Sequence, residues 1–153
     1  MSFPVEIYID GSCLGNSSTR VTPGGAGVVI KVSENKIIQS SISIPDTTND
    51  RAELKAFLLA LDIIKTKFNT KQIIIYSDSR YVLDGVTIWL HNWKRNGWKR
   101  GNGKPVKNAD LWKEVAIFPR LSELTMKWVK GHSGNKMNEM ADKLAHSAAK
   151  QGL

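Results

Sequence analysis

Apolar residues alternate with polar ones at the start of the chain and then change to helical spacing, so the fold must combine a sheet with helices. Residues 5–10 alternate as a β-strand does, and residues 27–32 and 36–44 are typical of two further strands joined by a hairpin turn around Asn35. The glycine-, serine- and threonine-rich residues 11–25 are predicted to form a loop. Three consecutive strands predict an antiparallel meander.

An amphipathic helix follows these strands. Its apolar residues are spaced three and four apart, namely Leu54, Phe57, Leu58, Leu61, Ile64 and Phe68, and Asn69 is expected to end it. Residues 73–76 then form a short continuous apolar run, which is typical of a strand covered on both faces in a parallel sheet.

The remaining elements are short helices within residues 80–92, a helix over residues 109–118, a strand over residues 124–129 and a final helix over residues 136–149. Met140, Leu144 and Ala148 are expected on the inner side of that last helix. The order of elements predicts a mixed sheet with helices on its faces.

Length and charge narrow the classes of protein open to this chain. Its 153 residues fit one domain, residues 1–153. No stretch reaches the apolar length of a membrane span, no signal peptide is visible, and the single cysteine, Cys13, excludes an internal disulfide. We therefore expect a reducing, cytoplasmic setting. The net charge of +8 and the pI of about 9.7 favour polyanionic partners, although charge alone does not identify one.

Four carboxylates occur where a carboxylate is locally unexpected. Asp10 and Asp78 each end a strand pattern, Glu53 lies in the first turn of the apolar helix, and Asp142 lies in the last helix, ten residues after His132. The two strands should be neighbours, and ligand sites of open α/β sheets lie at the carboxyl ends of strands. Glu53 shares its helix face with Ala56, Phe57 and Ala60, so it should point to the same rim.

Carboxylates gathered at one rim repel each other unless a cation intervenes, and oxygen ligands suit Mg²⁺ or Mn²⁺. Two such ions can clamp the attacking and leaving oxygens of an in-line phosphoryl displacement.

Each acid also has a purely structural interpretation. Asp10 could form an Asx turn with Gly11, and Asp50 could cap the helix with Glu53 reaching back. Asp78 could cap a helix that starts at Ser79, and Asp142 could pair with His146 one turn later.

Four segments of the chain resemble, in order, the motifs of type 1 ribonuclease H. They are residues 8–13 (YIDGSC), 48–54 (TNDRAEL), 77–82 (SDSRYV) and 130–134 (KGHSG) followed by 138–142 (NEMAD). The resemblance implies the ribonuclease H-like fold, a mixed five-stranded sheet with three antiparallel strands and then two parallel ones, flanked by helices. It also implies a stand-alone form with a basic protrusion and no separate hybrid-binding domain, an expectation that the start at Met1 and the end at Leu153 favour.

The activity implied by this resemblance is endonucleolytic hydrolysis of the RNA strand of RNA–DNA hybrids by a two-metal mechanism, which leaves 3′-hydroxyl and 5′-phosphate ends. The cofactor would be Mg²⁺, with Mn²⁺ as a substitute. Asp10, Glu53, Asp78 and Asp142 would be the metal ligands. His132, between glycine and serine in a loop, would assist catalysis or product release; the alternative is an ordinary loop histidine. A monomer without an obligate protein partner or membrane association is expected.

The segment between the third and fourth motifs is basic and aromatic. Residues 85–109 contain no acid, and they carry Trp89, Trp93, Lys94, Arg95, Trp98, Lys99, Arg100, Lys104 and Lys107. Cations bind phosphates without reading sequence, and aromatic rings lie against sugars and bases. The segment resembles the basic protrusion of some ribonucleases H; the alternative is a solvated charge run whose tryptophans pack in the core.

The resemblance also assigns contacts to each strand of the hybrid. Cys13, Asn16, Asn49 and Arg80 are candidates on the RNA side, where the 2′-hydroxyl must be recognised. Tyr81 and Trp89 are candidates on the deoxyribose side, and Thr48 and Asn108 resemble a DNA-phosphate pocket. Helix capping is the alternative for Thr48 and Asn49.

Three departures from the family pattern bear on substrate binding. Residues 17–22 make a longer loop than usual, Asp46 and Asp50 add negative charge, and Arg80 replaces an amide or apolar residue and could bind phosphate instead. Competing hypotheses are a non-catalytic binder of hybrids or duplex RNA, another nuclease of the wider superfamily such as a DNA-resolving enzyme, and an excised reverse transcriptase domain.

Overall fold

A single five-stranded sheet forms the centre of the protein in a computed structural model that describes residues 4–15, 21–68 and 72–152. The strands are β1 (Val5–Cys13), β2 (Thr22–Ser33), β3 (Lys36–Thr47), β4 (Ile73–Ser77) and β5 (Leu124–Trp128), in the spatial order β3-β2-β1-β4-β5. The first three are antiparallel, and β4 and β5 run parallel to β1. The predicted fold class is confirmed.

Within the described residues, five α-helices flank this sheet. They are α1 (Asn49–Lys67), α2 (Arg80–Asp84), α3 (Leu90–Asn96), α4 (Ala109–Ala116) and α5 (Lys136–Gln151). A π-helical turn (Gly85–Trp89) joins α2 to α3, so the predicted short helices form one continuous helical run with a wide turn inside it. A 3₁₀ turn (Leu121–Glu123) precedes β5. Among the described helices, none combines the length and the apolar character that crossing a membrane requires.

The two faces of the sheet are covered differently. Val5, Ile7 and Ile9 of β1 point into the larger core, together with the apolar face of α1. The opposite face packs against α5 through a smaller cluster of Tyr8, Val29 and Ala141. Because side chains alternate between the two faces along β1, Asp10 points to the same face as Tyr8, towards α5.

Several predicted boundaries are wrong because strand pairing overrides local turn signals. The expected loop over residues 11–25 is shorter, since β1 continues to Cys13 and Ser12 pairs with Gly25 of β2. Asp10 thus lies within β1 rather than at its end. The expected end of α1 at Asn69 falls outside the described residues, and the helix ends at Lys67 with Phe68 as its cap.

One burial prediction needs correction: the strand β4 is fully covered on one face only, because Ile74 and Tyr76 on the other face are half-buried. The prediction for α5 is confirmed, since Ala148 is buried and the half-buried Met140 and Leu144 pack against the cluster beneath the helix. The fully buried residues of α5 are mainly alanines. Small side chains dominate here because the helix lies very close to β1 and β2.

Candidate active site

Three carboxylates meet at the carboxyl edge of the parallel strands. The β1–β4 pairing ends with Ile9 opposite Ser77, so the next residues, Asp10 and Asp78, lie side by side. Glu53 reaches the same point from the first turns of α1. One carboxylate oxygen from each of these three residues lies within 4.8 Å of the others. A group of ligand atoms that are all oxygens suits hard divalent cations.

Close approach of α1 to β1 puts Glu53 in place. A Cβ atom at Gly11 would lie 2.3 Å from the backbone of Ala52 and of Glu53, so the helix can pack at this distance only against glycine. The Gly11 amide donates a hydrogen bond to Asp10 Oδ1 (3.0 Å) and another to Glu53 Oε1. One backbone amide therefore orients two of the three carboxylates.

A second close approach brings the fourth acid to the site. Gly27 of β2 is the register partner of Asp10, and a Cβ atom there would lie 2.6 Å from the carbonyl oxygen of Ala141 in α5. The helix therefore sits directly beside Asp10, and the next residue, Asp142, comes within hydrogen-bonding reach of the Asp10 carboxyl group. All four predicted acids line one groove of about 430 Å³.

Crowding in the groove disfavours ionisation of the acids. Burial, together with the charges of Glu53 and Asp78, raises the pKa of Asp10 to about 11. Burial and the charge of Asp78 raise the pKa of Glu53 to about 8, and burial and the charge of Asp142 raise the pKa of Asp78. Since a divalent cation would remove this repulsion, the electrostatics of the groove fit a metal site.

The structural interpretations of these acids are mostly wrong. The α1 cap is Thr48, whose hydroxyl accepts from the Arg51 amide, so Asp50 does not cap the helix. Ser79, and not Asp78, caps α2. The Asp10 carboxylate does accept from the Gly11 amide, but within a strand. The alternative of capping is confirmed for Thr48.

His132 lies in the loop after β5, above Asp78. It is exposed, it lines the acidic groove, and its charge opposes the rise in the pKa of Asp78. Its backbone is left-handed, with φ of 55°, a conformation that costs a non-glycine residue about 1 kcal/mol. The loop therefore holds the imidazole at the groove in a specific conformation.

The groove is also lined by residues that had not been predicted as site residues, among them Asp50, Ser12 and His146. Asp50 adds a fifth carboxylate and contributes to the raised pKa of Glu53. Ser12 and His146 lie on the α5 side, where His146 Nδ1 is 3.3 Å from Ser12 Oγ. Ser12 lies two residues after Asp10 in β1 and therefore points to the same face, and this spacing is the sequence signal that could have identified Ser12.

Two of the RNA-side candidates, Cys13 and Asn49, are brought together. Cys13 Sγ donates a hydrogen bond to Asn49 Oδ1 (2.9 Å), which links the end of β1 to the start of α1. Arg80 is exposed on α2, two residues after Asp78. Asn16, and most of the longer loop over residues 17–22, lie outside the described residues.

The deoxyribose-side and phosphate-pocket candidates form one network. The Tyr81 hydroxyl accepts from Asn108 Nδ2 (3.1 Å) and from Trp112 Nε1 (2.9 Å). Arg51, which had not been predicted, contacts both pocket candidates. Its backbone amide donates a hydrogen bond to Thr48 Oγ1 (3.4 Å), and its guanidinium donates one to Asn108 Oδ1 (3.3 Å). Arg51 thus links Thr48, through its backbone amide, to Asn108, through a guanidinium that is also paired with Asp110.

The basic segment is a compact protrusion with exposed cations. Trp93 and Trp98 are half-buried with ring centres 6.4 Å apart, whereas Trp89 stays more exposed (37%) beside Tyr81. The backbone folds back where the Val106 amide bonds the Trp98 carbonyl (3.0 Å). All six cations are exposed, and within the described part of the chain none of them forms an ion pair. Trp93 and Trp98 are thus partly packed inside the segment, whereas Trp89 is available at the surface, so core packing and surface exposure each describe part of the set.

A mixed sheet with clustered carboxylates at its carboxyl edge places the chain in the class of enzymes that use divalent cations to act on phosphate esters. The chain matches the RNase H family model over residues 3–150. It is 44% identical to a ribonuclease H of Vibrio vulnificus over 150 residues, which cover 97% of this chain and 91% of that protein. It is also 43% identical to a ribonuclease H of Shewanella halifaxensis, over 95% of this chain and 85% of that one. The chain belongs to the ribonuclease H family.

Solved structures agree with this assignment. LC9-RNase H1, a type 1 RNase H with the type 2 active-site motif, superposes with a TM-score of 0.83 and 34% identity, covering 100% of this chain and 75% of that one. The foamy viral protease–reverse transcriptase in complex with an RNA/DNA hybrid superposes with a TM-score of 0.84 and 26% identity, covering 98% of this chain and 20% of that chain.

Proposed function

We propose that this protein is an endonuclease that hydrolyses the RNA strand of RNA–DNA hybrids at the groove formed by Asp10, Glu53, Asp78 and Asp142. The observation that carries the proposal is the convergence of three of these carboxylates to within 4.8 Å at the carboxyl edge of the sheet. Family membership supports the reaction, and the foamy viral structure with a bound RNA/DNA hybrid supports the substrate. The products are expected to carry 3′-hydroxyl and 5′-phosphate ends.

The cofactor is proposed to be Mg²⁺, with Mn²⁺ as a substitute. Ribonucleases H use divalent metal, and the four acids supply only oxygen ligands, which suit both ions. When bound, two such ions supply charge neutralisation and Lewis-acid chemistry at the phosphate. The chain itself contributes ligand orientation, through the Gly11 amide, and an imidazole at the groove, through His132.

Recognition of the hybrid is proposed to divide between two sides of the groove. The linked pair Cys13 and Asn49 lies at the RNA side, where the 2′-hydroxyl distinguishes RNA from DNA. The Tyr81–Asn108 network, with Trp89 beside it, lies at the DNA side. We propose that Thr48 and Asn108 form the DNA-phosphate pocket and that Arg51 positions them, because its backbone amide bonds Thr48 and its guanidinium bonds Asn108.

We further propose that residues 1–153 act as one ribonuclease H domain, as a monomer and in the cytoplasm. One sheet with one large apolar cluster supports the single domain. The lone cysteine fits a reducing compartment. Size-exclusion chromatography with light scattering would measure the oligomeric state, and a dimer would contradict this part of the proposal.

Cleavage of a labelled RNA–DNA hybrid tests the function directly. RNA–RNA, DNA–DNA and single-stranded RNA substrates serve as controls, each with and without Mg²⁺. Metal-dependent cutting of only the RNA strand of the hybrid is the expected result. Tight binding of the hybrid without cutting in Mg²⁺ or Mn²⁺ would instead favour a non-catalytic binder.

His132→Ala is expected to lower kcat by roughly 10- to 100-fold, because an assisting imidazole contributes at or below the usual range for general acid–base catalysis. Metal binding should be retained, since the four acids remain, and calorimetric titration with Mn²⁺ would measure it. His91→Ala, an exposed histidine of α3, is the matched control and should leave kcat unchanged. Equal turnover in both variants would remove His132 from the mechanism.

Neutralising four cations of the basic segment (Lys94, Arg95, Lys99 and Arg100 to Ala) is expected to raise KM and to flatten its salt dependence. Each lost phosphate contact should reduce the slope of log KM against log salt by roughly 0.9. A variant with Lys36, Lys65, Lys67 and Lys150 changed to Ala carries the same net charge and serves as the control. If both quadruple variants lowered the slope equally, net charge rather than this segment would account for the binding.

A further inference from the structure

Trp128 places a half-exposed aromatic ring beside the acidic site. It is the last residue of β5 and the register partner of Ser77, which directly precedes Asp78. Its exposed fraction is 49%, which is high for a tryptophan in a sheet. Arg80, two residues after Asp78, holds its guanidinium carbon 6.0 Å from the centre of the Trp128 ring. A cation resting on an aromatic face thus lies next to the acids.

The guanidinium of Arg80 remains available to an external anion. Its side chain is 65% exposed, and its ion pair with Asp84, one turn along α2, is long at 3.5 Å. Exposed pairs of this kind contribute little. Arg51 differs, because it bonds both oxygens of Asp110 at 2.9 and 2.8 Å. Arg80 therefore retains free donors whose planar arrangement matches a phosphate group.

Position along α2 indicates which strand Arg80 meets. The adjacent residue, Tyr81, turns towards Asn108 and Trp112 on the proposed DNA side. Successive helical residues point about 100° apart, and Arg80 turns instead towards β5. Its neighbour Asp78 belongs to the proposed site of cleavage, where the RNA strand lies.

We propose that Arg80 binds a phosphate of the RNA strand next to the scissile one, and that Trp128 is the positioning residue that holds the guanidinium in place. An arginine side chain free in solvent loses rotamer freedom when it binds, and a preformed stack on tryptophan reduces that loss. This inference rests on the proposed function, and it adds a specific contact on the RNA side together with the residue that preorganises it.

Salt dependence of KM tests the pair. Arg80→Ala, Trp128→Ala, Trp128→Phe and the Arg80→Ala/Trp128→Ala double variant would be assayed on the labelled hybrid from roughly 50 to 200 mM salt. Lys36→Ala is the control, because Lys36 lies at the β2–β3 turn, at the opposite end of β1 from the acids. Thermal unfolding of each variant would show that the fold is intact.

The expected result has three parts. Arg80→Ala raises KM roughly tenfold with kcat nearly unchanged, as expected for one charge-assisted contact, and it reduces the salt slope by about 0.7–0.9. Trp128→Ala also raises KM and reduces the salt slope, each by a smaller amount, and Trp128→Phe restores both KM and the slope. The double variant equals Arg80→Ala, because Trp128 acts only through the arginine.

Three results would overturn the inference. The first is an Arg80→Ala variant with unchanged KM and salt slope, and the second is a Trp128→Ala variant with an unchanged salt slope while that of Arg80→Ala falls. The third is a double variant whose effects simply add. Failure of the wild-type protein to cut the hybrid would count against the proposed function itself, so the two failures are distinguishable.

Discussion

Asp10→Asn is expected to abolish metal-dependent cleavage of the hybrid and, without metal, to make the protein more resistant to heat. Cleavage should fall by at least ~10²-fold, the scale of losing one group that stabilises charge in a transition state. Asparagine keeps the shape of the side chain but cannot ionise, so the metal-free fold no longer has to hold this group protonated against burial and the charges of Glu53 and Asp78. Relief of about 1 kcal/mol of this cost would raise Tm by roughly 2–4 °C in a domain of this size.

The sign of this stability effect follows from the pKa shifts. A carboxyl group in an unfolded chain has a pKa near 4. Burial and mutual repulsion raise the pKa of Glu53 to about 8 and the pKa of Asp10 to about 11. The folded state therefore favours the protonated acids, and their contribution is fully present below about pH 4. It is lost as the pH rises through the raised values, so the metal-free wild type should lose stability from mildly acidic to alkaline pH.

Unfolding curves in EDTA and in Mg²⁺, recorded across pH for both proteins, would measure this effect. Mg²⁺ should stabilise the wild type much more than Asp10→Asn. Asp62→Asn, at an exposed position on α1, is the matched control and should retain full activity. An Asp10→Asn variant that still cut the hybrid at the wild-type rate would remove Asp10 from the site.

Gly11→Ala is expected to lower both stability and activity although it adds only a methyl group. The new Cβ would lie 2.3 Å from the backbone of α1, so the helix or the strand must move. Overpacking against backbone should cost about 3 kcal/mol, at the upper end of the usual range. Because Glu53 moves with the helix, kcat should fall by roughly 100-fold, as a displacement near 1 Å can cause.

Gly101→Ala provides the control for this variant, because a Cβ atom at Gly101 meets nothing within 4 Å. Tm, kcat and the affinity for Mn²⁺ would be measured for both variants. A Gly11→Ala protein with wild-type Tm and kcat would show that the approach of α1 to β1 is not what places Glu53.

Features that depend on local pattern were predictable. The order of strands and helices, the hairpin at Asn35 and the convergence of the acids follow from apolar periodicity and from the rule that ligand sites lie at carboxyl ends of parallel strands. The extent of β1 and β2 did not follow, because glycine, serine and threonine resemble a loop in sequence. In the fold they are strand residues: Ser12 pairs with Gly25, and α5 packs against Gly25 so closely that a Cβ atom there would meet the Ala145 carbonyl oxygen.

Contacts that depend on tertiary geometry were not predictable. The spacing of Arg80 and Trp128 along the chain gives no sign that their side chains stack. Likewise, Arg51 bonds Asn108, which lies 57 residues further along the chain. The wide helical turn at Gly85–Trp89 also escaped prediction, because a single extra residue per turn leaves little trace in apolar spacing.

Asp10 and Asp142 are separated by most of the domain, and the helix that carries Asp142 is synthesised after the other described elements of the domain. Until α5 has packed beside Gly27, a nascent chain holds three of the acids but not the fourth. Contacts between such distant residues form late in folding, because a long loop must first close. Nuclease activity is therefore expected to begin only when synthesis of the domain is complete, so a partly made chain should not cut nucleic acid.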